Sequence, residues 1–187
     1  RDGSPILRDS TFDSTSEIGY KDQNSSIHLL EAFTELYKVW PEKLVAERLE
    51  ELLLLIRNTI VNDRNYMNLF FEPDWTPVTF NEETKDIIKK HYYLDHVSFG
   101  HDVEIAYLML EASEILKRKD TEETLLKGKM MVDHAIENGW DKAFGGFYDG
   151  GYYFGADQSL TIVNSDKNWW SQAEGLNTLL IMQHHFP

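Results

Sequence analysis

Three stretches of helical apolar periodicity begin near Asn24, Gly100 and Asn168, about 70 residues apart, and each opens on a dense set of polar and aromatic residues. Each has a helical companion. From Asn24 the residues Leu29, Phe33, Leu36 and Trp40 recur until Pro41 stops them, and a second helix over about Lys43 to Val61 carries Leu44, Val45, Leu49, Leu52 to Ile56 and Ile60 on more than one face. A modest helix over Glu82 to about Tyr93 precedes a strong one from Gly100 to about Lys119, through Val103, Ala106, Met109, Leu110, Ala112 and Leu116. Thr121 to about Asn138 is helical, with Gly139 placed as a C-terminal glycine stop, and the last helix runs from about Asn168 to Gln183. The spacing predicts an all-α chain of about six helices in three hairpins, 24–61, 82–119 and 121–186, after a loop-rich lead-in over 1–23.

A period longer than the ~34 to 47 residues of ordinary helical repeats favours an α/α toroid with long loops. Such a ring usually closes with more than three hairpins. The first residue is Arg rather than Met, and the last residues follow directly on a helical pattern, so the chain is expected to be a single partial domain, about half of a ring. Two loops carry signals of their own. Residues 62–81 are aromatic, with Phe70, Phe71, Trp75 and two prolines, and suit a short strand pair. Farther on, Gly145, Gly146, Gly150 and Gly151 alternate with Phe147, Tyr148, Tyr152, Tyr153 and Phe154, which predicts a β-hairpin with a tight turn near Asp149 and Gly150.

Composition narrows the partners. The 187 residues are 42% hydrophobic and 13% aromatic, enough for a core. A formal net charge of -14 repels phosphate, so nucleic acid and anionic membranes are poor partners. No apolar run reaches the ~18 residues of a spanning helix, and the chain reads as a soluble one, with the cytoplasm as the default location. There is no cysteine, hence no disulfide, thiol nucleophile or thiolate metal site.

The polar residues at the three recurring helix starts are Asn24 and His28, then His101, Asp102 and Glu104, then Lys167, Trp169, Trp170, Gln172 and Glu174. If alternate helices line the ring, these first turns meet at one rim, where helix N-termini favour developing negative charge. His101 and Glu104 are three apart on one helix, so the carboxylate can fix or activate the imidazole, or else Glu104 merely supports the helix start while His101 packs under a loop. His28, one turn after Asn24, reads equally well as a core histidine. Trp169 and Trp170 point about 100° apart, so one is expected to face the cavity and the other to join the core. An aromatic face beside carboxylates and amides suits a sugar. His91, His96 and His101 are evenly spaced, but a spacing of five scatters them over a helix, and no metal is expected. His134 is expected in packing or at the surface, and His184 and His185 in the exposed last turn. No nucleophile elbow or phosphate loop is present.

Taken together, Asn24-Ser-Ser-Ile-His28-Leu-Leu-Glu-Ala-Phe, Ser98-Phe-Gly-His101-Asp-Val-Glu104 and Lys167-Asn-Trp-Trp170-Ser-Gln-Ala-Glu174 resemble the N-acylglucosamine 2-epimerase family, in particular its cellobiose 2-epimerase branch. The resemblance extends over nearly the whole chain, including Leu69-Phe-Phe-Glu-Pro-Asp-Trp75 and the Gly145-Gly-Phe-Tyr loop, and Asp102 is the residue that points to the disaccharide branch. It implies an (α/α)6 barrel of which this chain supplies about half. It also implies ring opening of an aldose, removal of the C2 proton by one histidine, a cis-enediolate, and return of a proton to the opposite face by a second histidine, without a cofactor. By motif, His101 is one member of that pair, Glu104 its partner, His28 and Asn24 contacts near the carbonyl end, Trp170 a stacking platform and Glu174 a polar sugar contact.

Two family parts, an early arginine and a late histidine, are expected outside the chain, so the isolated piece is expected to be inactive. Tyr107 also departs from the tryptophan of many disaccharide epimerases. The expected partner is a small sugar of the cellobiose or mannobiose type, bound by a monomer or weak homodimer. Rival readings are an N-acetylglucosamine 2-epimerase, a glycoside hydrolase using two carboxylates, here Glu104 and Glu174, and a carbohydrate-binding domain without turnover.

Overall fold

The computed structural model describes residues 21–155 and 159–187, so most of the lead-in expected over 1–23 lies outside the described residues. The chain is all-α with small sheets at one end. Helix α1 spans Gln23–Val39, α2 Lys43–Leu55, α3 Lys85–His91, α4 Phe99–Ile115, α5 Thr121–Gly139 and α6 Trp169–His185. The short strands are β1 Lys21–Asp22, β2 Phe70–Phe71, β3 Val97–Ser98, β4 Gly150–Tyr153 and β5 Leu160–Asn164.

Helix α1 begins where Asp22, in an extended conformation, accepts a hydrogen bond from Ser25 N at 2.6 Å, and it stops before Pro41. It buries Ile27 and Leu30 against Leu49, Leu53, Ile56 and Ile60 of the second helix and Ile105 and Met109 of α4, in the largest apolar cluster of the chain. The second helix is regular only to Leu55. Residues Ile56–Ile60 widen into a π turn that buries Arg57, whose guanidinium meets Asp120 at 2.9 Å and Thr124 Oγ1 at 2.9 Å.

The helices form two layers. Helix α4 packs on α1 on one side and α6 on the other, while α2 backs α1 and α5 backs α4. Helix α4 is the centre of the assembly and is buried nearly all round, from Phe99 to Ser113. The partnering within the hairpins therefore differs from sequence order. The expected pair over 82–119 is not the main contact, because α3 is only seven residues long and α4 packs most extensively on α5. Likewise α6 makes far more contact with α4 than with α5.

The loops depart from expectation in register. Phe70 and Phe71 form a strand that pairs antiparallel with Lys21–Asp22, ahead of α1, and within its own loop Phe71 bridges antiparallel to Pro77, as the expected short pair would. The expected β-hairpin is present as β4 and β5, but Gly150 lies in strand β4 and not in the turn. Strand β4 pairs antiparallel with β5 on one side and with β3 on the other, in the order β3-β4-β5. Its glycines serve close approach: a Cβ on Gly151 would lie 2.3 Å from a Leu160 methyl and 3.0 Å from the Phe99 ring. Gly139 has a similar reason, since its Cβ would sit 2.4 Å from Phe99, so packing rather than a left-handed helix stop requires glycine there. Among the described residues no helix is long and apolar enough to cross a membrane.

Candidate active site

The first turns of α1, α4 and α6 adjoin at one rim. Gly100 of α4 lies against Ser171 and Trp170 of α6, and His28 of α1 is close enough to act electrostatically on both His101 and Glu104. This closeness converts three separated motifs into one cluster.

His101 is set by the turn from β3 into α4. Its Nδ1 shares a 2.8 Å hydrogen bond with Ser98 Oγ, and its ring lies 4.8 Å from the Trp170 ring at a tilt of 44°. Burial drives its basicity down to about 4, with His96 and His28 acting in the same direction, so the ring is neutral at pH 7. In the tautomer whose Nδ1–H donates to Ser98 Oγ, Nε2 carries the lone pair. Glu104 follows one turn on, only 7% exposed. Burial pushes its carboxyl up to about 7; His28 opposes this, and Glu174 and Glu31 reinforce it. Near neutrality Glu104 is thus divided between donor and acceptor forms.

The facing helix brings Glu174, whose Oε2 accepts a 2.8 Å hydrogen bond from the Tyr107 hydroxyl. His28 is exposed, with Nδ1 3.3 Å from Glu31 Oε2. The structure therefore brings His101, Glu104, His28, Trp170 and Glu174 together. Asn24 stands on the exposed first turn of α1, one turn before His28, and among the described residues no hydrogen bond joins its side chain to the cluster.

Several neighbours have other work. Trp169 does not join the core: it is 82% exposed, because the face of α6 that it shares with Leu176 and Leu180 has no helix packed on it among the described residues. Lys167 and Gln172 clamp the 141–147 loop to the start of α6. Lys167 reaches Asp141 Oδ2 and the Gly145 carbonyl at 2.6 Å each, and the Gln172 amide accepts from Phe147 N and donates to Phe147 O. Asp102 is turned into the interior, 1% exposed, where Oδ1 accepts from Met67 N at 2.8 Å and burial raises the carboxyl well above its usual range. It therefore does not face the rim.

His134 is buried, its Nε2 2.8 Å from the Tyr153 hydroxyl and its ring stacked on Tyr66. Ser98 and Tyr107 are the neighbours of the site that spacing did not single out. Ser98 had a usable signal, three residues before His101 at the helix boundary, whereas the partner of Tyr107 lies on another helix. A concavity of about 740 Å³ opens away from this rim, beside Arg57, Asp120 and Lys127, where Arg57 is paired with Asp120 and Lys127 donates to the Asn62 carbonyl and to Asn65 Oδ1. Among the described residues no group of three or more His, Asp or Glu side chains is arranged to hold a metal ion.

A two-layered half-ring of helices that gathers His101, Glu104, Trp170 and Glu174 toward one rim defines the class: half of an α/α toroid with titratable and aromatic groups at its rim. The chain belongs to the N-acylglucosamine 2-epimerase (GlcNAc 2-epimerase) family, whose model matches residues 2–185. It is 27% identical over 155 residues to a cellobiose 2-epimerase of Bacteroides fragilis, covering 82% of this chain and 34% of the relative. It is 28% identical over 157 residues to a cellobiose 2-epimerase of Ruminococcus albus, covering 83% and 34%. Two solved structures share the fold. A sugar epimerase from a ruminal bacterium superposes with a TM-score of 0.71 at 23% identity, over 89% of this chain and 37% of that one. A D-mannose isomerase gives 0.71 at 22% identity, over 98% and 43%. The chain spans about a third of the length of the sequence relatives it matches.

Proposed function

We propose that the protein carrying this chain is a sugar 2-epimerase that inverts C2 of a reducing-end aldose of the cellobiose or mannobiose type. The observation that supports it best is the neutral, half-buried His101, held through Nδ1 by Ser98 and packed against Trp170, with Glu104 one turn away.

The steps follow from those groups. The open-chain aldehyde acidifies the C2 proton, and His101 Nε2 removes it, leaving an enediolate whose oxygen charge needs a donor. Glu104, protonated in part near pH 7, supplies one hydrogen bond. The conjugate acid of a buried histidine is strong, so the proton is readily surrendered again. Trp170 offers an apolar face for the C–H side of the ring, while Glu174 and His28 offer polar contacts to hydroxyls. Inversion requires a second acid/base group on the opposite face and a cation or donor for the enediolate. The family resemblance assigns these to a histidine and an arginine outside the chain, so the 187-residue piece alone is expected not to turn over.

The test is proton NMR of cellobiose, mannobiose and N-acetylglucosamine in D2O with the full-length protein. Loss of the C2 proton signal together with appearance of the C2 epimer is the expected result, and the sugar that reacts fastest identifies the substrate. A folded protein that exchanges no C2 proton in any of the three overturns the proposal, and release of monosaccharide without exchange would replace it by hydrolysis.

A further inference from the structure

His96 immediately precedes β3, two residues before Ser98, and the steps above leave it without a part. We propose that His96 is a further sugar-binding residue, whose Nε2 accepts a hydrogen bond from a hydroxyl of the sugar bound beside His101. The inference rests on the sugar reading above and deepens it, by adding an imidazole acceptor on the strand side of the rim.

Strand alternation places the residue. Val97 is buried in the core, so His96 and Ser98 leave the strand on the opposite face, and Ser98 is the residue whose hydroxyl meets His101 Nδ1 at 2.8 Å. Two ties bring the start of α6 to the same place. Asp149, just ahead of β4, accepts a hydrogen bond from the Asn168 side chain at the head of α6, and Trp170, two residues on, packs against His101. His96 lies between these ties, close enough to feel the charge of Asp149 and to act in turn on His101.

The polarity of the ring is set by its neighbour. Nδ1 lies 3.2 Å from the Tyr92 carbonyl oxygen, which can only accept, so Nδ1 carries the proton and Nε2 the lone pair. The fold does not need this bond. The same carbonyl already accepts from the His96 amide at 2.8 Å and from the Asp95 amide at 3.2 Å, so what the side chain gains is an orientation. Gly150 leaves room for that orientation, since a Cβ there would stand 3.1 Å from Cδ2 and 3.8 Å from Nε2 of His96. Among the described residues no hydrogen bond reaches Nε2, and His96 is only partly buried. Burial lowers the basicity of the ring, against the Tyr92 carbonyl and Asp149, so near pH 7 the lone pair stays open to a hydroxyl.

Nitrogen NMR of the full-length protein labelled with 15N at histidine reads the acceptor directly. Cellobiitol and mannobiitol, the reduced forms of the two disaccharides, are the probes, because without an aldehyde they are not turned over. Before sugar is added His96 is expected to show a protonated Nδ1 and an unprotonated Nε2, and on saturation the Nε2 resonance is expected to move upfield, toward that of a hydrogen-bonded nitrogen, while Nδ1 keeps its proton. Its loss in His96→Gln assigns the resonance. His96→Phe, which keeps a flat ring and removes the acceptor, is expected to weaken alditol binding about fivefold in calorimetry, and His96→Gln, whose amide oxygen can replace Nε2, to weaken it less. A ring that only packs would lower melting temperature in both variants and leave Nε2 unmoved by sugar. An unmoved Nε2 in a parent protein that binds either alditol overturns the proposal whether or not His96→Phe folds, as does a folded His96→Phe that binds as tightly as the parent. A parent that binds neither alditol overturns it together with the sugar reading. The two failures are separable: C2 exchange with an unmoved Nε2 removes only the role of His96, and a moved Nε2 without C2 exchange removes only the epimerase reading.

Discussion

Replacing Gly100 by alanine tests the contact on which the whole rim depends. A Cβ at this position would stand 2.3 Å from Ser171 Oγ, 2.7 Å from the Trp170 ring edge and 2.8 Å from Ser171 Cβ. Ordinary contact begins near ~3.5 Å, so α6 must retreat from α4 by about 1 Å. The Oγ could rotate away, but Ser171 Cβ is fixed to the helix backbone and Trp170 is held against His101. Overpacking of this kind costs about 1–3 kcal/mol, and the upper end applies because backbone has to move. Alanine returns about 1 kcal/mol through helix propensity. The net loss is about 2 kcal/mol, a fall of roughly 4–8 °C in melting temperature for a chain of this size. Thermal unfolding by circular dichroism measures it. A second substitution, Ser171→Gly, removes two of the three clashing atoms, so the double variant should be less destabilised than the sum of the singles. A Gly100→Ala protein that melts at or above the parent temperature would refute the close α4–α6 packing, and with it the approach of Trp170 to His101.

Two further outcomes concern charge. Because burial depresses His101 to about 4 while an unfolded histidine titrates near ~6.5, the unfolded chain binds more protons between those values, and the His101 contribution is lost as pH falls through that window. The stability difference between the parent and His101→Gln, from urea unfolding at pH 7.5 and pH 4.5, should therefore shift against the parent by up to about 3 kcal/mol at the lower pH; a difference independent of pH would show that the ring is not buried as a neutral base. At Asp102, where burial raises the carboxyl and Oδ1 already accepts from Met67 N, Asp102→Asn keeps the acceptor and the absence of charge and should cost less than about 1 kcal/mol, whereas Asp102→Ala orphans the Met67 amide and should cost about 1–3 kcal/mol. Equal losses in the two variants would mean that Asp102 is ionised in the folded protein.

How far the sequence revealed this arrangement depended on whether the deciding interaction was local. Helix starts, stops and periodicity are local, and Leu29 to Trp40 or Thr121 to Gly139 could be read as helices from spacing alone. Partnering is not. Helix α4 buries residues on every side, so it offers no single apolar stripe that would say which neighbour covers which face, and α3 was given a role that α5 fills. The β-hairpin of the glycine-aromatic loop could be read, but its turn was placed at Asp149 and Gly150 because glycine signals turns by default, while the reason for glycine at Gly151, the approach of Leu160 and Phe99, comes from the folded packing.

The site divides in the same way. His101 and Glu104 share a helix face at three-residue spacing, and Trp170 and Glu174 do so at four, so their convergence followed once the two helices met. Asp102, one residue from His101, shares the motif but points about 100° away, into the interior. Its value as a marker of a disaccharide substrate is therefore indirect at most, acting through the Met67 backbone. Tyr107, two turns after His101 on α4, is joined to the facing helix through the Glu174 carboxylate.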